Sequence, residues 1–216
     1  MPNEPEDHLA AEKALGYFFA FEGLDGSGKT TQAKLLAQFL ESKFNQKPLL
    51  LREPTTGPVG QIIRQKLFTA HKPVNPQTEL ELFLADRAWD VDTNILPALG
   101  SGRHVIIDRY ILSNAAYQGF LGAQDPQAII SANAHFPQPN LTIILEISPQ
   151  AAFARIKARG PLIHRYEDPE YLKKVKEIYD SFSGPNLLRL KAESDLAVIH
   201  EQITQALKNL NLKGLS

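Results

Sequence analysis

Residues 17–31, YFFAFEGLDGSGKTT, constrain the fold more than any other part of the chain. The apolar, aromatic run at their start predicts a buried strand, and a helical pattern begins after them. Between the two, the residues fit the pattern G-x-x-x-x-G-K-[ST] at Gly23, Gly28, Lys29 and Thr30. Strand, glycine loop and helix in this order predict a phosphate-binding loop, because backbone N–H groups and the helix N-terminus then face the anion.

Composition narrows the class of protein. A chain of 216 residues with 43% hydrophobic and 22% charged residues is typical of one globular domain. The net charge of −1 gives no overall basic surface for nucleic acid. The absence of cysteine excludes disulfides, thiol catalysis and cysteine-zinc sites, and no apolar run reaches the length of a membrane span. We therefore expect a cytoplasmic enzyme with no nucleic-acid or membrane partner.

Five short apolar segments alternate with helical patterns along the chain. We expect an α/β fold: a five-stranded parallel sheet with helices on both faces, in one domain over residues 17–216. Residues 1–16 are polar and acidic, lack the pattern of a secretory signal, and are predicted to be an N-terminal extension. Helices are predicted over residues 59–70 and 78–99, the second with a kink near Pro97.

Three loops should meet at one edge of this sheet. Ligands of such sheets bind beyond the carboxyl ends of the strands. The loops after the first three strands carry GLDGSGKT, REP and DRY. Asp108 ends an apolar strand, as does the Walker B carboxylate that supports Mg²⁺ in phosphate-loop proteins, although an acid can end any strand. Arg109 offers a guanidinium fork suited to phosphate.

Two sets of residues at helical spacing suggest a nucleoside pocket. Phe83 and Arg87 lie four apart and share a helix face, where they could stack on a base and hydrogen-bond its edge. A core phenylalanine beside a surface arginine is the alternative. In SNAAYQG, Ser113, Asn114 and Tyr117 lie at helical spacing, and the Asn114 amide suits the imide edge of a pyrimidine. The alternative for this set is a helix N-cap.

A basic stretch surrounds Gly160 and Pro161. Its cations are Arg155, Lys157, Arg159 and Arg165. On a loop that closes over a triphosphate, such cations stabilise the charge of phosphoryl transfer. A solvated basic helix end is the alternative.

Together these motifs resemble the thymidylate kinase family. The resemblance is carried by FEGLDGSGKTTQ, REP, LFLADRA, DRYILSNAAYQG, PNLTIILEIS and the basic stretch before HRYE, in family order over residues 17–180. It implies the P-loop kinase fold with a short lid at about residues 155–168. It also implies transfer of the γ-phosphoryl group of ATP to dTMP, with Mg²⁺, in a homodimer.

The resemblance also implies roles for individual residues. Those binding ATP would be Gly23, Asp25, Gly26, Ser27, Gly28, Lys29, Thr30 and Thr31, with Thr30 and Asp108 holding Mg²⁺. Those binding dTMP would be Asp25, Arg52, Phe83, Arg87, Asp108, Arg109, Ser113, Asn114 and Tyr117. The catalytic cations would be Lys29, Arg109, Arg155, Arg159 and Arg165.

Gly26 bears on where the catalytic cation comes from. One branch of the family has an arginine at this position of the loop, and the other supplies the cation from the lid. Gly26 places this chain in the lid branch. Two departures from common family patterns are His164, in the lid, and Asn114, where many bacterial members have serine or threonine.

Two alternatives to a dTMP kinase remain. One is a related kinase acting on another nucleotide or on a nucleoside, but Arg52 and Arg109 favour an acceptor that already carries phosphate. The other is a phosphate-loop nucleotide-binding protein without a small acceptor. The Phe83/Arg87 and Ser113/Asn114 sets argue against it, because such a protein needs no second base pocket.

Overall fold

The computed structural model describes residues 15–68, 74–122, 124–160 and 168–210. Its sheet has five strands in the order β2-β3-β1-β4-β5, and every neighbouring pair is parallel. The strands are β1 (Phe18–Glu22), β2 (Leu49–Arg52), β3 (Val105–Asp108), β4 (Leu141–Glu146) and β5 (Leu187–Lys191). The predicted five-stranded parallel sheet is confirmed.

Helices connect the strands and pack on both faces of the sheet. They are α1 (Lys29–Phe44), α2 (Pro58–Ile63), α3 (Pro76–Asp90), α4 (Leu96–Gly100), α5 (Ile111–Phe120), α6 (Pro126–Ala132), α7 (Pro149–Lys157), α8 (Pro169–Ser181) and α9 (Leu196–Asn209).

The central strand β1 divides its side chains between two hydrophobic clusters. Phe19 and Phe21 belong to the larger cluster, which includes apolar residues of α1 and α9. Phe18 and Ala20 belong to the second, with residues of β3 and of the chain between α3 and α4. Successive side chains of a strand point to opposite faces, so one aromatic run supplies both cores.

Two predicted helices differ from the observed ones. The predicted helix over residues 78–99 is divided into α3, a π-helical turn at Val91–Ile95, and α4. Because Pro97 has no N–H for the carbonyl four residues earlier, the hydrogen-bond spacing changes one turn ahead of the predicted kink. The helix predicted over residues 59–70 is α-helical only at Pro58–Ile63 and π-helical at Arg64–Phe68. Residues 69 and 70 lie outside the described range.

Several predictions lie outside the described residues. These concern residues 1–14 of the predicted extension and residues 161–167, half of the predicted lid, which include His164 and Arg165. Among the helices that are described, we find none with the length and apolarity needed to cross a bilayer.

Candidate active site

The register of the sheet brings the three predicted loops together. Phe21 pairs with Asp108, and Asp108 pairs with Arg52, so β1, β3 and β2 end at the same height. The GLDGSGKT, DRY and REP loops therefore leave the sheet side by side, as expected for the carboxyl edge of a parallel sheet.

The glycine loop has a backbone that other residues rarely adopt. Gly26 has φ +82°, and a Cβ there would lie 2.7 Å from the carbonyl oxygen of Ala152 in α7. Lys29 begins α1, and its Nζ donates to the carbonyl oxygens of Gly23 at 3.0 Å and Leu24 at 2.8 Å. The buried Ser27 hydroxyl has no hydrogen-bond partner among the described residues. The loop thus holds polar groups whose partners an anion can supply.

Thr30 and Asp108 contact each other beside this loop. The Thr30 hydroxyl donates to Oδ2 of Asp108, while the buried Oδ1 has no partner within the described part of the chain. Hydroxyl and carboxylate oxygens are ligands that Mg²⁺ accepts. The described residues contain no cluster of three acids or histidines that could hold a metal alone. The pair therefore fits an ion that takes its other ligands from phosphate and water.

A cavity opens beside the glycine loop. It encloses about 620 Å³, part of it open to solvent, between the loop, the REP segment, α3 and α5. Eight of the nine residues predicted to bind the acceptor line it: Asp25, Arg52, Phe83, Arg87, Arg109, Ser113, Asn114 and Tyr117. Asp108, the ninth, lines a neighbouring cavity with Thr30 and Arg52. Segments up to 92 residues apart thus converge on one site.

Glu22 holds the α5 wall of this cavity in place. Its fully buried Oε1 accepts from the backbone N–H groups of Tyr110 at 3.0 Å and Ser113 at 3.1 Å. Its Oε2 accepts from the hydroxyls of Ser113 at 2.5 Å and Tyr179 at 3.0 Å. Tyr110 offers no side-chain cap to α5, so this carboxylate from β1 caps the helix instead. No role was predicted for Glu22 from the sequence, although its place at the end of an apolar strand was visible there.

Arg109 joins the loop to α5. Its Nη2 donates to Oδ1 of Asp25 at 2.7 Å and to the Tyr117 hydroxyl at 3.2 Å, and its Nη1 donates to the Ser113 hydroxyl at 3.2 Å. Its φ of +76° lies in the left-handed region, a strained conformation often found at functional sites. Burial raises the pKa of Tyr117 to about 12, so its hydroxyl stays protonated near neutral pH. Asp108 and Arg109 therefore face different groups, because neighbouring side chains at a strand end point in opposite directions.

The far wall of the cavity is formed by Phe83 and Arg87. Phe83 is half-buried, whereas the Arg87 side chain is fully buried and lies over the Tyr110 ring. Glu53 accepts from both Nε and Nη2 of Arg87, and Oδ1 of Asn133 accepts from Nη1 at 2.6 Å. Arg87 is therefore not the surface arginine of the alternative interpretation. Glu53 and Asn133 had no predicted role, since they lie 34 and 46 residues from Arg87 in the sequence.

The base of the predicted lid packs directly on the glycine loop. Arg155 of α7 donates to the carbonyl oxygens of Gly26 at 3.3 Å and Ala192 at 3.0 Å. Arg159 follows the end of α7 and is exposed. Arg155 therefore joins α7 to the loop at Gly26, where there is no room for a side chain.

The buried carboxylate of Asp90, near the site, predicts that the free energy of unfolding depends on pH. Burial, together with nearby Asp86, raises the pKa of Asp90 to about 6, and Oδ2 of Asp90 has no partner among the described residues. Between pH 4 and 6 the unfolded chain loses this proton before the folded one, so stability falls as the pH rises. At pH 7, Asp90→Asn should be more stable than the parent by about 1–3 kcal/mol.

The measurement is thermal unfolding of both proteins at pH 4 and pH 7. The difference in Tm should be several degrees at pH 7 and should vanish near pH 4. Asp92→Asn is the matched control, because Asp92 lies two residues further along and is exposed. Its Tm should equal that of the parent at both pH values. An equal Tm for the parent and Asp90→Asn at both pH values would contradict the prediction.

Comparisons with known proteins agree with this geometry. The family model described as thymidylate kinase matches residues 21–203. Thymidylate kinase of Desulfotalea psychrophila is 41% identical over 196 residues, covering 90% of this chain and 96% of that protein. A probable thymidylate kinase of Pyrococcus horikoshii is 39% identical over 206 residues, covering 93% and 99%.

A solved structure confirms the P-loop kinase fold. That structure, thymidylate kinase from Candida albicans, matches with a TM-score of 0.76 at 24% identity, covering 90% of this chain and 92% of that one. With a family model matching most of the chain, this protein belongs to the thymidylate kinase family.

Proposed function

We propose that this protein transfers the γ-phosphoryl group of ATP to dTMP, giving dTDP and ADP. The observation that carries the proposal is the acceptor cavity, the one beside the phosphate loop that is lined by an aromatic ring, amides and arginines. A protein that only bound ATP would not need this cavity. Membership of the thymidylate kinase family supports the same activity.

The lining of the cavity suits a thymidine monophosphate. Phe83 would stack on the base, while Arg87 and Asn114 would hydrogen-bond its edge. Asp25 and Tyr117, both bonded to Arg109, would face the sugar in this arrangement. Arg52 is exposed at the rim, and its side chain makes no ion pair or hydrogen bond with the described residues, so its charge would be available to the acceptor phosphate.

The glycine loop is proposed to bind the phosphates of ATP. The backbone of Gly23 to Thr31, together with the Ser27 hydroxyl, would surround the phosphate oxygens, and Lys29 would leave its two carbonyl partners for them. Thr30 and Asp108 would hold Mg²⁺, which when bound neutralises charge between the outer phosphates. Arg109, between the loop and the acceptor cavity, would stabilise charge on the transferring group. The enzyme supplies position and charge and forms no covalent intermediate.

The lid is proposed to provide the remaining cations. Arg155 and Arg159 stand at its base, and Arg165 lies beyond the described residues. We further propose one catalytic domain over residues 17–216, preceded by a polar extension at residues 1–16. By analogy with the family, we propose a cytoplasmic homodimer that uses no nucleic acid.

A coupled assay of ADP release tests the proposed function. With ATP and Mg²⁺, the acceptors are dTMP, dUMP, UMP, CMP, dGMP and thymidine, and a sample without acceptor is the blank. We expect dTMP to give the highest kcat/KM, exceeding thymidine by at least about 10²-fold because thymidine leaves Arg52 and Arg109 without a phosphate. A higher value for thymidine, or no acceptor above the blank, would contradict the proposal.

A further inference from the structure

Three buried polar side chains form a series of hydrogen bonds that ends at the acceptor cavity. Glu79, in the first turn of α3, is fully buried. Its Oε1 accepts a hydrogen bond from Nε2 of Gln118 at 3.0 Å, and Oε1 of Gln118 accepts one from Nδ2 of Asn114 at 3.0 Å. Gln118 and Asn114 both line the cavity, whereas Glu79 lies behind them.

Only one orientation of the two amides satisfies this series. A carboxylate accepts hydrogen bonds but cannot donate them, and Oε1 of Glu79 accepts from Nε2 of Gln118. Gln118 must therefore turn its NH₂ toward Glu79 and its oxygen toward Asn114. Asn114 must in turn direct its NH₂ at Gln118, which leaves Oδ1 as the group without a partner.

The surroundings of Oδ1 of Asn114 agree with this orientation. Oδ1 of Asn114 is buried and has no hydrogen-bond partner among the described residues, although a buried acceptor without a partner is costly. Asn114 itself is 2% exposed. The acceptor without a partner therefore belongs to a side chain that lines the cavity, while Arg87 on α3 can only donate.

We infer that Glu79 is a positioning residue that selects the base by fixing the hydrogen-bond polarity of the cavity. The inference rests on the proposed function. Thymine and uracil carry a donor, N3–H, beside the acceptor O4, and so complement Asn114 and Arg87. Cytosine has the opposite arrangement, an acceptor N3 beside a donor amino group, and meets like groups at both positions. Glu79 acts without touching the substrate, through Gln118 and Asn114.

Glu79→Gln tests this inference. The new amide can donate to Gln118 or accept from it, so both amides downstream can reverse and Asn114 can present its NH₂. The readout is selectivity: the inhibition constant of dCMP against dTMP, divided by the KM for dTMP. We expect this ratio to fall at least about tenfold while kcat for dTMP stays within about threefold, because the groups around the phosphates are unchanged.

Glu81→Gln is the matched control. It makes the same substitution two residues further along α3, at an exposed position, and should leave the selectivity unchanged. A double variant, Glu79→Gln with Gln118→Glu, places the carboxylate next to Asn114 and again forces Asn114 to donate its NH₂. We expect this variant to regain the parental ratio within about threefold, and it remains informative if Glu79→Gln alone fails to fold.

The outcomes separate the inference from the function on which it rests. If the parent protein does not phosphorylate dTMP, the proposed function fails. If the parent does so and Glu79→Gln leaves the ratio within twofold, the inference is wrong even where Tm falls, because Glu79 then serves only the fold. A double variant as unselective as Glu79→Gln would also overturn it.

Discussion

Lys29→Ala should lower kcat with dTMP and ATP by about 10³-fold, the scale expected when a charged group is removed from a developing phosphoryl charge. Nζ of Lys29 lies inside the glycine loop, where its hydrogen bonds to the described residues go only to the carbonyl oxygens of Gly23 and Leu24. Burial lowers the pKa of Lys29 to about 8, so the group is still mainly charged at pH 7. Steady-state kinetics at saturating acceptor measure the loss.

The fold should survive this substitution. A buried cation is penalised by desolvation, so Lys29→Met, which keeps the volume without the charge, should not lower the Tm. Lys34→Ala, at an exposed position of α1, is the control and should keep the parental kcat. If a folded Lys29→Ala protein kept a kcat within tenfold of the parent, the proposed role of the glycine loop in binding ATP phosphates would be wrong.

Arg109→Lys should lower kcat/KM for dTMP by about 10²-fold. The substitution keeps a positive charge but loses the fork that contacts Asp25, Ser113 and Tyr117 together. A single ammonium cannot link the loop, α5 and an acceptor phosphate in one geometry. Kinetics over a range of dTMP concentrations give the ratio. Binding of dTMP can be measured separately by the fluorescence of Trp89. It is the only tryptophan of the sequence and lines the neighbouring cavity with Arg52.

The matched control for this prediction is Arg103→Lys. Arg103 precedes the opposite end of β3 and donates to the carbonyl oxygen of Lys47, far from the glycine loop. It should retain kcat/KM within about twofold. If Arg109→Lys also retained kcat/KM within threefold, the guanidinium fork would have no part in acceptor binding or transfer.

The sheet and the site edge were predictable because their signals are local. An apolar run of four to six residues is enough to identify a buried strand, and GLDGSGKT, REP and DRY follow three such runs directly. Parallel strands place their following loops at one edge, so convergence followed from strand direction alone. The helix over residues 78–99 was less predictable, since its π-helical turn depends on how Pro97 is accommodated in the packed helix.

The sequence by itself determined the phosphate loop, the α/β class and eight of the residues that line the acceptor cavity, since each depends on short strings with fixed spacing. Only the tertiary structure decided which buried groups pair. The chain offers many acids, and nothing in their local sequence assigns Glu22 to the end of α5, Glu53 to Arg87, or Glu79 to Gln118. These partners lie 34 to 91 residues apart. Hydrogen bonding is directional and short-ranged, so such pairings exist only once the fold has brought the two groups within about 3 Å of each other.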